Sequence, residues 1–143
     1  MTMSIENIYG IAGTALNAQL TRMNATASNL ANAGTVATQA EDVFKAKRPV
    51  FKALVNEQMT HAGAPYVGGV KVDRMSEDNS PARRVHDPKN PMADAQGYVY
   101  QANISEVTEM VEMMASARSY QNNVEVINTA RTLMMRTLDI TKS

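Results

Sequence analysis

The sequence predicts a mainly α-helical protein with a small β insertion, and three observations lead to that fold class. Apolar residues recur at intervals of three and four near both ends of the chain, which is the spacing of one face of an α-helix. All five prolines fall between these two segments. Short runs of that middle region alternate apolar and polar residues, as strands do. We therefore expect N- and C-terminal long helices paired as a coiled-coil-like hairpin around a loop- and strand-rich middle segment.

The predicted organisation has three parts. Residues 1–34 form the N-terminal helix of an inner helical domain, residues 35–102 form a middle insertion with short β-strands and extended loops, and residues 103–143 form the C-terminal helix of the inner domain. In the first helix Ser4 is the expected N-cap, and Asn32 with Gly34 marks the end because both residue types tolerate the left-handed backbone that closes many helices. The expected apolar stripe consists of Ile5, Ile8, Ala12, Leu16, Leu20, Met23, Ala27 and Leu30.

The middle segment contains two strand-like runs, residues 51–55 and 66–74, which we expect to pair antiparallel, with residues 83–86 as a third strand beside them. The paired glycines at 68 and 69 predict a tight bend or bulge. One face of this small sheet would bury three apolar side chains, while three basic side chains remain free to contact neighbouring subunits. The buried set is Phe51, Val70 and Val72, and the basic set is Lys52, Lys71 and Arg74.

The last segment carries the longer helix, since residues 107–138 contain neither glycine nor proline. Asn103 is the expected N-cap, with Glu106 three residues on completing a capping box. At 1.5 Å per residue the helix would be roughly 50 Å long, and a seam of that length needs a partner. Its expected apolar stripe consists of Val107, Met110, Met114, Ala117, Tyr120, Val124, Ile127, Ala130, Met134 and Leu138.

Composition and charge exclude several classes of function. The 14 basic and 14 acidic residues are interspersed, so no basic stripe indicates nucleic-acid binding. No run approaches the ~20 apolar residues that a membrane span requires, so we expect no membrane insertion. The absence of cysteine excludes disulfides and thiolate sites. The first residues lack the basic and apolar regions of a secretory signal, and we expect none.

No arrangement of side chains predicts catalysis. A general acid–base pair needs burial to perturb its pKa values, and Glu106, Glu109 and Glu112 are instead interpreted as a solvated face that complements the helix dipole. We expect no enzyme activity and no cofactor. One alternative is a metal-dependent hydrolase built on His61, His86 and Asp87, but zinc usually takes four closely spaced ligands, and solvated loop histidines are the favoured interpretation.

Both helices carry more apolar residues than a single stripe packed against one partner helix would use. Met113, Val126 and Leu133 lie off the main stripe of the last helix, as Ile11 and Ala15 do in the first. Exposed apolar surface of this extent usually marks a partner surface. The sequence therefore favours a chain that completes its fold in an assembly. A secreted helical-hairpin protein or secretion chaperone is a second alternative, which would form a small discrete oligomer.

Three motifs carry a family resemblance. Residues 27–35 (ASNLANAGT), which close the first helix, resemble the signature of bacterial flagellar axial proteins, the rod, hook and hook-associated proteins. Residues 110–129 (MVEMMASARSYQNNVEVINT) resemble the matching C-terminal helix. Residues 85–99 (VHDPKNPMADAQGYV) are similar to a segment peculiar to the proximal rod. Ala102 departs from the pattern, because the family more often has proline before this asparagine.

The resemblance implies a structural subunit of the proximal rod that transmits torque through the periplasm and lines the axial export channel. It also implies export by the flagellar type III system without a cleaved signal peptide. The implied partners are other rod proteins, copies of the chain itself in a helical assembly, the rotor-side adaptor and the export apparatus. The residues expected to carry the family motif and the assembly interface are Ser28, Asn29, Leu30, Ala31, Asn32, Tyr120, Asn123, Val124, Ile127, Asn128, Met134 and Leu138.

Overall fold

A computed structural model of the chain describes residues 5–55, 58–61 and 64–142. Two long helices precede and follow the middle region in the sequence, α1 (Ile5–Asn32) and α2 (Glu106–Lys142). This confirms the prediction of two long terminal helices with a small β region between them. A 3-10 turn occupies Ala40–Asp42. The described strands are β1 (Val36–Ala37), β2 (Lys47–Ala53), β3 (Gln58–His61), β4 (Ala64–Val67), β5 (Val70–Glu77), β6 (Arg83–His86) and β7 (Tyr98–Gln101). Within these residues neither helix is long and apolar enough to cross a membrane.

The chain divides into two compact units, and each helix contributes to both. The first unit consists of Met1–Thr21, Val50–Arg74 and Ala115–Ser143. The second consists of Arg22–Pro49 and Met75–Met114.

The second unit contains a three-stranded antiparallel sheet in the order β1-β7-β6. Val85 lies opposite Val99, which is 1% exposed. The prediction that residues 83–86 join the strands near residues 51–74 is therefore wrong, because β6 pairs with β7 instead. Beside the sheet lies a small core of Ala33, Ala37, Val43, Ala46, Ala102 and Ile104, with Phe44, Ala82 and Tyr100 packed against it.

The strands near residues 51–74 pair largely as predicted. The amide of Leu54 donates to Gly69 O at 2.8 Å and that of Asp78 to Ala46 O at 2.8 Å, so β2 and β5 run antiparallel. Positive φ angles of 100° at Gly68 and 115° at Gly69 make the predicted bend and separate β5 from β4. β4 forms its own antiparallel pair with β3. Three side chains predicted to share a buried face, Phe51, Val70 and Val72, are half-buried.

The first helix ends where the sequence predicts, but for another reason. Gly34 does not adopt the left-handed conformation. Instead the amide and the hydroxyl of Thr35 donate to Asn32 O at 3.1 Å and 2.7 Å and so satisfy a terminal carbonyl. The predicted N-cap, Ser4, lies outside the described residues.

The second helix is capped by Ser105, not by Asn103 as predicted. The Oγ of Ser105 accepts hydrogen bonds from the amide of Thr108 at 3.4 Å and from its hydroxyl at 3.0 Å. The physical reason is the burial of Ile104 in the core of the second unit, which keeps the chain out of the helix until the next residue.

Most of the fully buried residues of α1 are small, and the predicted stripe contributes only Ala12 to them. Four other members of the stripe are half-buried, namely Ile8, Leu16, Met23 and Leu30. Leu20 is 47% exposed and Ala27 is exposed. Small side chains allow another backbone to approach closely. The buried residues are Gly10, Ala12, Ala18, Ala25, Thr26 and Asn29.

Candidate functional site: a buried polar cluster and an exposed apolar strip

Asn29 of α1 is completely buried and binds the backbone at the start of β2. Its Nδ2 donates to Lys47 O at 3.0 Å, and its Oδ1 accepts from Lys47 N at 2.8 Å. Two residues of an antiparallel strand pair exchange both hydrogen bonds in the same way. The amide of Asn29 therefore acts as a strand partner for Lys47 and fixes β2 against α1.

Glu109 of α2 meets the same asparagine. Its carboxylate is 1% exposed, and Oε2 accepts from Asn29 Nδ2 at 3.1 Å. Arg48 completes the arrangement, with Nη2 donating to Glu109 Oε1 at 2.5 Å and Nη1 to Glu112 Oε2 at 2.9 Å. We call Asn29, Lys47, Arg48, Glu109 and Glu112 the polar cluster.

This cluster corrects the interpretation of the three glutamates as a solvated face. Glu106 is exposed as predicted, but Glu109 is buried and Glu112 is half-buried. A buried carboxylate is tolerated only when it is paired and hydrogen-bonded, and both of its oxygens are. Sequence reasoning missed Lys47, Arg48 and the burial of Glu109, since these residues lie 18 to 80 positions from their partners.

The opposite side of α2 carries an exposed apolar strip, which we define as Val107, Met110, Val111 and Met114. Val107 is 72% exposed and Met114 is 63% exposed. Residues two apart on a helix lie on roughly opposite sides, so this strip faces away from Glu109. Of the first half of the predicted apolar stripe, Val107, Met110 and Met114 are exposed, whereas Ala117 and Tyr120 are half-buried. The spacing i, i+3, i+4, i+7 is that of a helix face suited to a partner.

In the first unit, the C-terminal turns of α2 are also exposed. Only Ala130 is buried among residues 121–140, and every residue from 131 to 140 is exposed. The exposed apolar side chains there are Leu133, Met134, Met135, Leu138 and Ile140. An apolar groove of about 350 Å³ is lined by Ile8, Asn122, Glu125, Val126, Thr129, Ala130 and Leu133.

The two helices run antiparallel. In the first unit Ile8, near the start of α1, shares the groove with the C-terminal part of α2. In the second unit Asn29, near the end of α1, contacts Glu109 near the start of α2. These contacts are consistent with the predicted hairpin.

The motif residues of α1 have distinct local roles. Asn29 joins the polar cluster, while Asn32 Nδ2 donates to Ser28 O at 2.8 Å within the last turn. Leu30 is half-buried, and Ala31 is exposed. The amide of Asn29 binds the backbone of another segment, whereas that of Asn32 binds its own helix.

The motif residues of α2 divide by exposure. Tyr120, Asn123 and Ile127 are half-buried, and Asn123 Nδ2 donates to Ser119 O at 2.9 Å. The exposed members are Val124, Asn128, Met134 and Leu138. Among the described contacts, none of these side chains joins the polar cluster. Their role in assembly remains a prediction.

The loop between β6 and β7 is ordered around one carboxylate. Asp94 Oδ1 accepts from the amides of Gln96 at 2.8 Å and Tyr98 at 2.9 Å. These bonds, that from Tyr98 foremost, hold the pKa of Asp94 below its ordinary value, although burial opposes them. The Arg84 guanidinium lies 3.8 Å from the centroid of the Tyr98 ring and 3.6 Å from the Asp94 carboxylate.

Two residues of the metal-site alternative belong to this loop structure. His86 packs edge-on against Tyr98, with ring centroids 4.8 Å apart. Asp87 accepts from Asn90 Nδ2 at 3.3 Å. The side chain of His61 lies outside the described residues. Across the residues that the structure describes, no group of three or more His, Asp or Glu side chains is arranged to hold a metal ion.

Two known protein families match segments near the two ends of the chain. Residues 11–36 match the family described as flagella basal body rod protein, and residues 95–140 match the C-terminal family of the flagellar basal body rod FlgEFG proteins. The chain is 45% identical to the flagellar basal-body rod protein FlgC of Escherichia coli O157:H7 and 44% identical to that of Salmonella typhimurium. Each of these alignments covers 96% of the chain and 98% of the relative.

A more distant relative extends the comparison. The chain is 36% identical to the flagellar basal-body rod protein FlgC of Bacillus subtilis, over 98% of the chain and 100% of the relative. Such identity over nearly the full length decides the family. The chain belongs to the FlgC family of flagellar basal-body rod proteins, which are structural components of the rod and not enzymes.

Proposed function

We propose that the chain is a subunit of the proximal rod that transmits torque through the periplasm and lines the axial export channel. One observation carries the proposal beyond family membership: the apolar strip of α2 is exposed and faces away from α1 and the polar cluster. Exposed apolar surface of this kind marks a protein interaction site.

The spacing of the strip specifies the kind of partner. Anchors at i, i+3, i+4 and i+7 suit packing against another helix or in an apolar groove. The expected occupants are the terminal helices of neighbouring rod subunits, both copies of this chain and other rod proteins. The exposed apolar residues at the C-terminal end of α2, including Met134 and Leu138, extend the interface in the first unit.

The three predicted segments have separate roles in this proposal. The terminal segments, residues 1–34 and 103–143, build the inner helical layer around the channel. The middle insertion, residues 35–102, lies outside that layer and carries what is specific to this rod position. The ordered loop around Asp94 supports this role, because a loop fixed by its own hydrogen bonds loses little entropy on binding.

The remaining partners and the route to the rod follow from the family resemblance. The rotor-side adaptor and the export apparatus are the expected contacts at the base of the rod. Export is by the flagellar type III system without a cleaved signal peptide, and the subunit completes its fold against its neighbours in the periplasm.

A charge placed on the strip tests the proposal. Met110→Asp is expected to leave secretion of the chain intact but to abolish its incorporation into basal bodies, because a buried unpaired charge at a helix interface costs several kcal/mol. The matched control is Asn79→Asp, which adds the same charge at an exposed loop residue and is expected to assemble normally.

The measurement is the content of this chain in purified basal bodies and in the secreted fraction of the same strains. Normal rods containing the Met110→Asp chain would contradict the proposal. If the unaltered chain formed a small discrete oligomer and did not enter basal bodies, the result would favour the secretion chaperone alternative.

A further inference from the structure

We infer that the polar cluster is an orientation lock on α2, which keeps the polar side of its first turns inward and so holds the apolar strip available for partners. The use of the strip in assembly rests on the proposed function. The lock itself is a property of the isolated chain and can be tested without a rod.

A lock is needed because the amphipathicity of the first turns of α2 is inverted, with the polar side buried and the apolar side exposed. A helix on a globular protein normally turns its apolar face inward. The first turns of α2 do the opposite, with Glu109 1% exposed and Val107 72% exposed. Turning the helix about its axis by roughly half a turn would bury the strip and return the carboxylate to water, and the hydrophobic effect favours that change. A specific interaction must therefore oppose it.

The polar cluster has the geometry to do so. Glu109 accepts from Asn29 through one oxygen and from Arg48 through the other. Asn29 is itself held by both backbone groups of Lys47. A turned α2 would leave Asn29 buried with an unused donor, and an unsatisfied buried polar group is costly. Contacts to α1 and β2 would break together, so the two orientations are discrete.

A second buried polar residue on the inward side lacks support of this kind. Ser116 lies two turns after Glu109 on the same side of α2 and is 1% exposed. Its Oγ has no hydrogen-bond partner among the described residues. Returning the Ser116 hydroxyl to water would favour the turned orientation of α2. The polar cluster opposes that change.

The chain offers a direct probe because it contains no cysteine. Single cysteines are introduced at Met110→Cys on the strip and at Met113→Cys, which is half-buried and lies one turn after Glu109. In the isolated folded chain we expect maleimide to label Cys at position 110 several-fold faster than at position 113. Combining each with Asn29→Leu and Glu109→Leu removes the lock and is expected to abolish or reverse that difference.

Two further variants keep the test decisive if the double-leucine chain does not fold. Glu109→Gln retains an acceptor for Asn29 but loses the acceptor for Arg48, and is expected to narrow the labelling difference without abolishing it. Arg48→Met weakens the lock at a residue that is 37% exposed, and is expected to narrow the difference. An unchanged ratio in Arg48→Met, or in a folded double-leucine chain, would overturn the lock. If the labelling results support the lock but the chain does not enter rods, only the proposed function is contradicted.

Discussion

At the scale of single residues, Asn29 explains how three distant segments are joined. Its amide replaces a backbone partner for Lys47 and still has a hydrogen available for Glu109. Only a side chain with both a donor and an acceptor at this length can do so. Asn29 was predicted as a motif residue, but its partners were not, because nothing near it in the sequence identifies Lys47 or Glu109.

Asn29→Asp tests this role. The new carboxylate loses both donated hydrogen bonds and faces Glu109, so we expect the free energy of unfolding to fall by about 3–5 kcal/mol, as for other broken buried polar networks. Chemical denaturation followed by circular dichroism measures the change. Asn24→Asp, at an exposed position of the same helix, is the control. Equal stability of the two variants would show that the cluster is not what holds these segments together.

Asp94 gives the loop between β6 and β7 a defined pH dependence. Its pKa is lowered in the folded chain, so the ionised carboxylate contributes stability that is present above the ordinary aspartate pKa of about 3.9. That contribution is lost as the pH falls through the lower folded value. We expect the amide resonances of Gln96 and Tyr98 to shift together below about pH 4, and Asp94→Asn to remove the shift. A midpoint above the ordinary value would be inconsistent with these hydrogen bonds.

At the scale of elements, the sequence predicted which segments are helical but not which side of them is buried. Residues 107–138 fall within Glu106–Lys142, because the absence of glycine and proline and the apolar period decide helix formation locally. Periodicity also locates the apolar side. Whether that side faces inward depends on Arg48 and Asn29, which are remote in sequence.

The strands show the same division. Alternation located β2 and β5, whereas the partner of β6 is β7, a run for which no strand was predicted from the sequence. The N-cap of α2 was predicted at the wrong residue because the burial of Ile104 depends on tertiary packing, which the local sequence does not reveal.

The bend between β4 and β5 provides a prediction at this scale. Gly69 has a φ of 115°, and an added Cβ would lie 2.5 Å from Thr14 Oγ1. That oxygen accepts from the amide of Val70 at 3.1 Å. Gly69→Ala is expected to lower the free energy of unfolding by about 1–3 kcal/mol through backbone strain and to displace Thr14.

Gly34→Ala is the matched control for this substitution. Gly34 has an ordinary φ, and no heavy atom lies within 4 Å of its added Cβ. It is expected to be neutral or slightly stabilising. Thermal unfolding and amide exchange at Val70 measure both variants. A Gly69→Ala chain as stable as Gly34→Ala would contradict the role of the bend.

At the scale of the whole molecule, the chain is built with more apolar helix surface than it covers. Small residues make up most of the buried part of α1, a polar cluster occupies the inward side of the first turns of α2, and most large apolar side chains of α2 are exposed. This is the reverse of what a chain folding alone would select. It is what a subunit requires when its largest apolar surface is reserved for neighbours.

The most direct test of this account is the structure of the assembled rod containing this chain, determined by electron cryomicroscopy of purified basal bodies. The account predicts that helices of neighbouring subunits cover Val107, Met110, Val111 and Met114, while Arg48 and Asn29 still hold Glu109 within the subunit. An apolar strip buried against its own α1, or left uncovered in the rod, would contradict it.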